Sequence, residues 1–322
     1  MKEKIEKALL RIDEAVKKFE IDAIYGLFSG GDDSICSTHL ASLYAPQTSV
    51  FKGCIHAETR TGPISKMSSD WVKQFCAEQG WHVNSKTPAT TYLMMIAEHG
   101  FPGPSSHQYM YRYLKERVFA HAKKEEKARL KLKHIAFVTG MRRSESTNRA
   151  NTPFYEQIKS DYFISPIADW SEQDCLDYIA YMGLERNPVK MNTGISGECK
   201  CGSHASPSER AIDFELYPTQ REWVKLAEDM VAAAQRFQQF EFDHGMRETV
   251  IDDKYLKWGN GRANFDLEHI MPMPGFFACH GCVGRLDQDG NVGDDPDLAM
   301  RVADLRRKYV KDELAPDKQP AN

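Results

Sequence analysis

A short apolar run that ends in a glycine pair constrains this chain more than any other feature. Residues 23–28 (Ala-Ile-Tyr-Gly-Leu-Phe) lead into Ser29-Gly30-Gly31-Asp32-Asp33-Ser34, and a helical pattern runs on from Ser34 to Tyr44. An apolar run of this length, closed by a turn, reads as a buried strand. Two glycines let the main chain turn tightly and come close to a ligand. The N-terminus of the following helix offers unpaired N–H groups and a partial positive charge, which together hold an anion. Ser29 and Ser34 add hydroxyl donors. A plain glycine turn joining strand to helix would look the same from these residues alone. The spacing is not the Walker pattern, because no G-x-x-x-x-G-K-[ST] occurs.

The rest of the first two hundred residues repeats the strand–helix theme. Ile5, Leu9, Ile12, Ala15 and Val16 recur at helical spacing over residues 2–19. Strands are expected over 50–56, near His82–Ser85 and over 134–140. Helices are expected over 65–79, over 90–98 and, as one long element, from His107 to about Lys133. Phe163-Ile164 lead into Pro166, and Ser171 to Asp174 has the spacing of a capping box. This alternation predicts an α/β fold with an open, mostly parallel, doubly wound sheet. After Gly202 the pattern turns helical, with starts at Ser206-Pro207 and at Thr219. Trp223, Leu226, Met230, Val231 and Phe237 form the expected buried stripe of the last helix. Residues 259–275 read as irregular and the tail beyond Asp312 as frayed. The expected division is a nucleotide-binding α/β domain over 1–198 and a helical C-terminal lobe over 199–322.

Composition narrows the class. The 322 residues carry 42 Lys and Arg against 46 Asp and Glu, with 41% apolar and 27% charged types, which excludes wholesale disorder, collagen and coiled coil. No stretch of 18 apolar residues occurs, so no membrane partner is expected. The charged, amphipathic N-terminus lacks the apolar segment of a signal peptide, and a cytoplasmic location is expected.

A second signature follows the strand at 134–139: Gly140-Met141-Arg142-Arg143-Ser144-Glu145-Ser146. Guanidinium groups suit bidentate contact with phosphate or sulfate. A glycine at a strand end followed by a basic turn is how an open α/β sheet builds a ligand site, although a solvated charged loop is the common fate of Arg-Arg. With these residues in view, the chain resembles two related groups. Ser29–Ser34 is similar to the S-G-G-x-D-S PP-loop of the N-type ATP pyrophosphatases and their adenine-nucleotide α-hydrolase relatives. Gly140–Ser146 is similar to the G-x-R-x-x-E-S of the phosphoadenylyl-sulfate (PAPS) reductase family. Ser165-Pro166-Ile167-Ala168-Asp169-Trp170, Asn187-Pro188-Val189 and Ser196-Gly197-Glu198-Cys199 continue the likeness in order, the last resembling the DNA phosphorothioation ATP pyrophosphatases. The match departs at Asp32, where the common loop has Lys.

The resemblance implies an adenine nucleotide α-hydrolase-like sheet that binds ATP with Mg²⁺. It implies that Ser29, Gly30, Gly31, Asp33, Ser34, Gly140, Arg142, Arg143 and Glu145 contact the nucleotide. Asp33, Ser34 and Arg142 would carry the chemistry, with Asp33 the better candidate for metal or water contact.

Eight cysteines are present, four of them in two tight pairs, Cys199-Lys200-Cys201 and Cys279-His280-Gly281-Cys282. Two close thiol pairs have the composition of a [4Fe–4S] or Zn²⁺ site. The pairs also resemble those of the adenylyl-sulfate reductases and the DNA phosphorothioation proteins, which hold a [4Fe–4S] cluster, and this resemblance favours the cluster, with Zn²⁺ as the alternative and buried or redox-active thiols as the plain reading. Cys36, Cys54, Cys76 and Cys175 sit among apolar neighbours and read as core residues. Cys36, near the start of the loop helix, is a place where a thiol pKa can fall, and His56 and Glu58 are candidates near the nucleotide.

The function that the resemblance implies is ATP hydrolysis to AMP and pyrophosphate, adenylylating an acceptor into which sulfur is then placed. A cysteine desulfurase is the expected sulfur donor and a homo-oligomer the expected assembly. Residues 112–149 carry 12 Lys and Arg against 4 Glu, a stripe that suits DNA or RNA as acceptor and equally a solvated helix face. The alternatives are a sulfonucleotide (APS or PAPS) reductase, disfavoured by the lack of an E-C-G-L-H motif with its nucleophilic Cys, and a non-catalytic nucleotide-binding partner of a desulfurase.

Overall fold

A computed structural model describes residues 1–145 and 149–259, leaving out the side chains of residues 45–48. The elements in chain order are α1 (Lys2–Phe19), β1 (Ala23–Leu27), α2 (Asp32–Thr48), β2 (Phe51–Ala57), α3 (Pro63–Glu78), β3 (Val83–Lys86), α4 (Tyr92–His99), α5 (His107–Tyr111), α6 (Arg117–Leu130), β4 (Ile135–Val138), β5 (Tyr155–Ile158), β6 (Asp161–Ile164), α7 (Glu172–Met182), α8 (Pro188–Thr193), α9 (Pro207–Leu216) and α10 (Pro218–Asp243). Among the described residues six strands form one sheet in the order β3-β2-β1-β4-β6-β5. Every pairing is parallel except β5 with β6. This is the open, mostly parallel α/β sheet expected from the sequence.

The sheet is covered on both faces. Ile24, Cys54, Ala136, Val138 and Ile164 meet Ile12 of α1, Leu40 of α2, Val72 and Phe75 of α3, and Tyr178 of α7 in one core. On the other face Tyr25, Ile55, Phe137 and Phe163 pack with Ala122 of α6. Central strands buried on both sides need apolar residues in succession rather than in alternation, as Ala23–Tyr25 and Ile135–Val138 show. A third core joins Tyr92, Met95 and Ile96 of α4 and Met110 and Leu114 to Cys201, Val224, Ala227, Val231, Ile251 and Trp258. It therefore draws on residues on both sides of position 198.

Several local expectations change. The element expected from 107 to 133 is α5, a π-helical turn over Arg112–Glu116, and α6. Met110, Leu114, Val118 and Ala122 recur every four residues, a spacing that one continuous helix also fits, so it does not reveal the π turn. The antiparallel edge hairpin β5–β6 replaces a simple run-in to Pro166. α10 begins at Pro218, with Tyr217 ahead of it, rather than at Thr219. Its buried face is Gln220, Val224, Ala227, Val231 and Gln238, whereas Leu226 and Phe237 are 69% and 63% exposed. The capping boxes at Ser171/Asp174 and Ser206/Glu209 are present as expected. Among the described residues no helix is long and apolar enough to cross a membrane.

Candidate functional site

Strand β1 has β2 on one side and β4 on the other, so chain direction across the sheet reverses between β1 and β4. The crevice at the carboxyl ends of such strands is where open α/β sheets take ligands. The Ser29–Ser34 loop leaves β1 there, and Gly140 follows β4. Gly30 adopts φ +79°, and a Cβ at this position would stand 2.8 Å from Val72 Cγ2. Glycine is therefore required on both conformational and steric grounds. Ser34 Oγ donates to Gly31 O at 2.8 Å, and Ser29 Oγ donates to Ser34 Oγ at 3.2 Å. The Gly31 N–H also donates to Ser29 Oγ, at 3.4 Å. The two hydroxyls thus line the turn at the start of α2, where an anion would sit.

Gly140 brings the second signature into contact with the first. A Cβ there would lie 2.6 Å from the carbonyl carbon of Asp33. Arg142 Nε donates to Asp33 Oδ1 at 2.8 Å, and Nη2 donates to Oδ2 at 3.3 Å. Nη1 donates to Ser144 Oγ at 3.2 Å. Burial works against the Arg142 charge, but the Asp33 carboxylate outweighs it and holds the guanidinium protonated beyond its ordinary range. Glu145 accepts from the Arg142 N–H at 3.3 Å and pairs with Arg149. Arg143 turns elsewhere: its Nε donates to Thr152 O at 2.8 Å and its guanidinium stacks on Phe154. Asp33, Ser34, Gly140, Arg142 and Glu145 therefore come together with Ser29, Gly30 and Gly31, while Arg143 is held against the β5 side.

One residue not singled out from the sequence, Arg186, belongs to this crevice. Arg186 pairs with Asp32 through Nε and Nη2 at 3.0 and 3.1 Å. Ser68 Oγ accepts from Asn187 Nδ2 at 2.9 Å. Only the Asn-Pro motif hinted at this segment, because an isolated Arg carries no spacing signal.

The Cys199–Cys201 loop is tied to the same sheet edge. Thr59, just past β2, donates to Glu198 O, and Thr61 Oγ1 accepts from the Lys200 N–H at 2.7 Å. Tyr92 OH donates to Cys201 O at 2.8 Å, and Trp258 Nε1 donates to Lys200 O at 3.1 Å. Lys115, in the π turn, pairs with Glu198 at 2.7 Å, and Lys200 pairs with Asp213 at 3.0 Å. The neighbouring Cys199 thiol, then burial, push the Cys201 thiol up. The two thiols fit the first half of a four-thiolate set; Cys279 and Cys282 lie outside the described residues. Among the described residues no group of three or more His, Cys, Asp or Glu side chains is arranged to hold a metal ion.

The remaining candidates are engaged in packing and pairing to different degrees. His56 is fully buried between Phe28 O at 2.7 Å and Ser69 Oγ at 2.9 Å, and burial lowers its pKa. Glu58 pairs with Lys73 and accepts from Ser85. Burial raises the Cys36 thiol, the opposite of the fall expected at a helix start, because its Sγ faces Cys175 inside the core rather than the crevice. The basic stripe is partly consumed, since Lys123 pairs with Asp161 and Arg129 with Glu126. Arg112, Arg117, Lys124, Lys131 and Lys133 remain exposed.

An open, mostly parallel sheet with a glycine turn and helix N-terminus at its reversal point defines a doubly wound α/β protein with a candidate anion-binding turn. The phosphoadenosine phosphosulfate reductase domain matches residues 23–193, more than half of the chain, and the protein belongs to that family. It is 35% identical over 85 residues to phosphoadenosine 5'-phosphosulfate reductase of Xanthomonas axonopodis pv. citri, a match covering 26% of this chain and 35% of the relative. It is 43% identical over 66 residues to adenosine 5'-phosphosulfate reductase of Streptomyces coelicolor, covering 20% of this chain and 28% of the relative. The chain thus matches about a third of the length of these relatives. Among solved structures it is similar to the U34-tRNA thiolase NcsA from Methanococcus maripaludis with its [4Fe-4S] cluster, at 14% identity, TM-score 0.41 and coverage of 88% of this chain and 89% of that one.

Proposed function

We propose that the chain is an ATP pyrophosphatase of the PAPS reductase family that activates an acceptor for sulfur incorporation. The observation that carries this reading is the Ser29–Ser34 turn, with both hydroxyls facing the start of α2 and Arg142 clamped beside it on Asp33. ATP would seat its phosphates on the N–H groups of the turn and the first turn of α2. An acceptor hydroxyl attacks the α-phosphorus, the bond to the β-phosphate oxygen breaks, and pyrophosphate leaves with its electron pair. The acceptor proton passes to solvent. The product is an adenylylated acceptor, from which a sulfur nucleophile displaces AMP. Ser29 and Ser34 orient the phosphates, and Arg142 and Asp33 set the charge beside them. Mg²⁺ carried with the nucleotide supplies charge neutralisation. Cys199 and Cys201 are the described part of the proposed [4Fe–4S] or Zn²⁺ site, completed by Cys279 and Cys282, and a cysteine desulfurase is the proposed sulfur donor. A nucleic acid is the proposed acceptor for the basic stripe of residues 112–149, and its binding should weaken with salt and with charge reversal at Lys131 and Lys133.

The names of the relatives favour a second reading, reduction of APS or PAPS to sulfite. One experiment separates the two. Purified protein is given Mg·ATP with and without DNA or tRNA, and in parallel APS and PAPS with a dithiol reductant. AMP and pyrophosphate from ATP support the pyrophosphatase. Sulfite from APS or PAPS without ATP cleavage supports the reductase and overturns the first reading.

A further inference from the structure

Asp32 is a carboxylate at a place built for an anion. It is the first residue of α2, next to Gly31, and only 5% exposed. A buried carboxylate this close to a bound phosphate repels it unless something cancels the charge. Arg186 meets Asp32 with two parallel N–H···O contacts, at 3.0 and 3.1 Å, from a segment 154 residues further along. That fork is the strong, geometrically fixed form of the pair. Its backbone is fixed too. The next residue, Asn187, caps α8 by accepting from the Val189 N–H at 3.0 Å, and it donates to Ser68. Its Nδ2 lies 3.0 Å from where a Cβ on Gly30 would stand. The segment 186–187 is therefore seated on the glycine turn at two points, at Asp32 and at Gly30.

We infer that Arg186 is a positioning residue of the nucleotide site, which cancels the Asp32 charge and so sets how strongly the turn binds phosphate. The inference rests on the reading that this turn holds a nucleotide's phosphates. The two aspartates at the start of α2 are then neutralised separately, Asp33 by Arg142 from the β4 side and Asp32 by Arg186 from the α7 side. Arg142 cannot substitute for Arg186, because its guanidinium is committed to Asp33 and Ser144. A purely architectural pair would give a different result. Losing either partner would then lower the melting temperature and leave anion affinity in the folded protein unchanged.

The test is a charge cycle on the full chain, read by calorimetric titration with Mg·α,β-methylene-ATP and with inorganic pyrophosphate. Arg186→Gln leaves Asp32 uncancelled and is expected to weaken both ligands about tenfold or more. Asp32→Asn leaves Arg186 uncancelled and is expected to tighten them. Asp32→Asn with Arg186→Gln removes both charges and is expected to return affinity to within about threefold of wild type. Arg186→Lys, which keeps the charge and loses the fork, is expected to lie between wild type and Arg186→Gln. Wild-type affinity in folded Arg186→Gln overturns the inference, as does a double variant no tighter than Arg186→Gln. If Arg186→Gln does not fold, the Asp32→Asn single and the double variant decide it: no tightening in the first, or lost affinity in the second, overturns it. A wild-type chain that binds neither probe defeats the nucleotide reading itself, a result distinct from failure of the cycle.

Discussion

Arg142 Nε lies 2.8 Å from Asp33 Oδ1, joining the turn after β4 to the helix that follows β1 across 109 residues of sequence. Both side chains are largely buried, so each depends on the other. Removing one partner of such a pair leaves an uncompensated charge, and Arg142→Met should cost about 3 kcal/mol of stability in urea unfolding. Arg142→Lys should recover only part of this, because an ammonium cannot make the two-pronged contact. AMP formation from ATP should fall in both variants. Equal stability of Arg142→Met and wild type would show that Asp33 finds another partner.

Gly140 is the steric complement of that pair. With a Cβ placed 2.6 Å from the Asp33 carbonyl carbon and 2.8 Å from its Cβ, Gly140→Ala forces main chain against main chain. The expected cost is about 1–3 kcal/mol, with a larger loss of nucleotide affinity because the start of α2 must shift. Gly80→Ala separates the two kinds of glycine cost, since nothing lies within 4 Å of its added Cβ and only the strain of its φ of +67° remains. A Gly140→Ala protein that binds nucleotide as tightly as wild type would remove Gly140 from the site.

The thiol pair makes a compositional prediction. Cys199→Ser and Cys201→Ser should each lower the iron or zinc bound per chain in protein purified without oxygen, measured by elemental analysis and by the visible spectrum. Cys201 lies in the core beside Val224 and Trp258, so its variant should also melt lower, whereas the half-exposed Cys199 should lose metal with a smaller effect on stability. Unchanged metal content in both variants would exclude the pair as ligands.

What the sequence conveyed depended on whether the signal was local. The turn at Ser29–Ser34, the glycine at 140 and the capping boxes at Ser171 and Ser206 are written in adjacent residues, and each is found where its spacing placed it. Arg186 and Lys115 were not legible, because what gives each its role is a partner 154 or 83 residues away. Arg143 shows the limit of a motif: its neighbour Arg142 reaches the loop, while Arg143 is drawn to Phe154 and Thr152. The edge strand β5 was missed because its residues, Tyr155–Ile158, are only half-buried and lack a strong apolar pattern.

α10 offers a direct test of a misjudged face. Its apolar residues are plentiful enough to suggest two stripes, and burial follows Val224, Ala227 and Val231 because α10 packs against α4 and α9 on that side. Val231→Ala should therefore cost about 2 kcal/mol, from two lost methyl groups and the cavity they leave. Leu226→Ala, at 69% exposure, should change stability by less than about 0.5 kcal/mol. Comparable losses from the two would mean that something covers Leu226 in solution, and the oligomeric state should then be measured beside the melts.

The last prediction concerns acid. Glu126 of α6 is buried beneath the sheet, where its carboxylate accepts from Tyr25 OH at 2.6 Å, Asn84 Nδ2 at 2.8 Å and Arg129 Nε at 3.0 Å. Burial raises its pKa, but these donors outweigh burial, Tyr25 first and then Arg129 and Asn84, and bring it down from 4.5 to about 2. The folded-state value is thus depressed. The unfolded chain takes up a proton near 4.5 that the folded chain refuses until about 2. The stabilisation is fully present above pH 4.5 and drains away as pH falls from there toward 2. Glu126→Gln keeps the shape, loses the charge and sets an amide N–H₂ against donors. It should be less stable than wild type at neutral pH, with the gap shrinking below pH 4.5 and nearly closed by pH 2. Urea midpoints at pH 7, 5, 3.5 and 2.5 on both proteins measure this, and a gap that stays constant across the series would show that the carboxylate is already protonated in the folded chain.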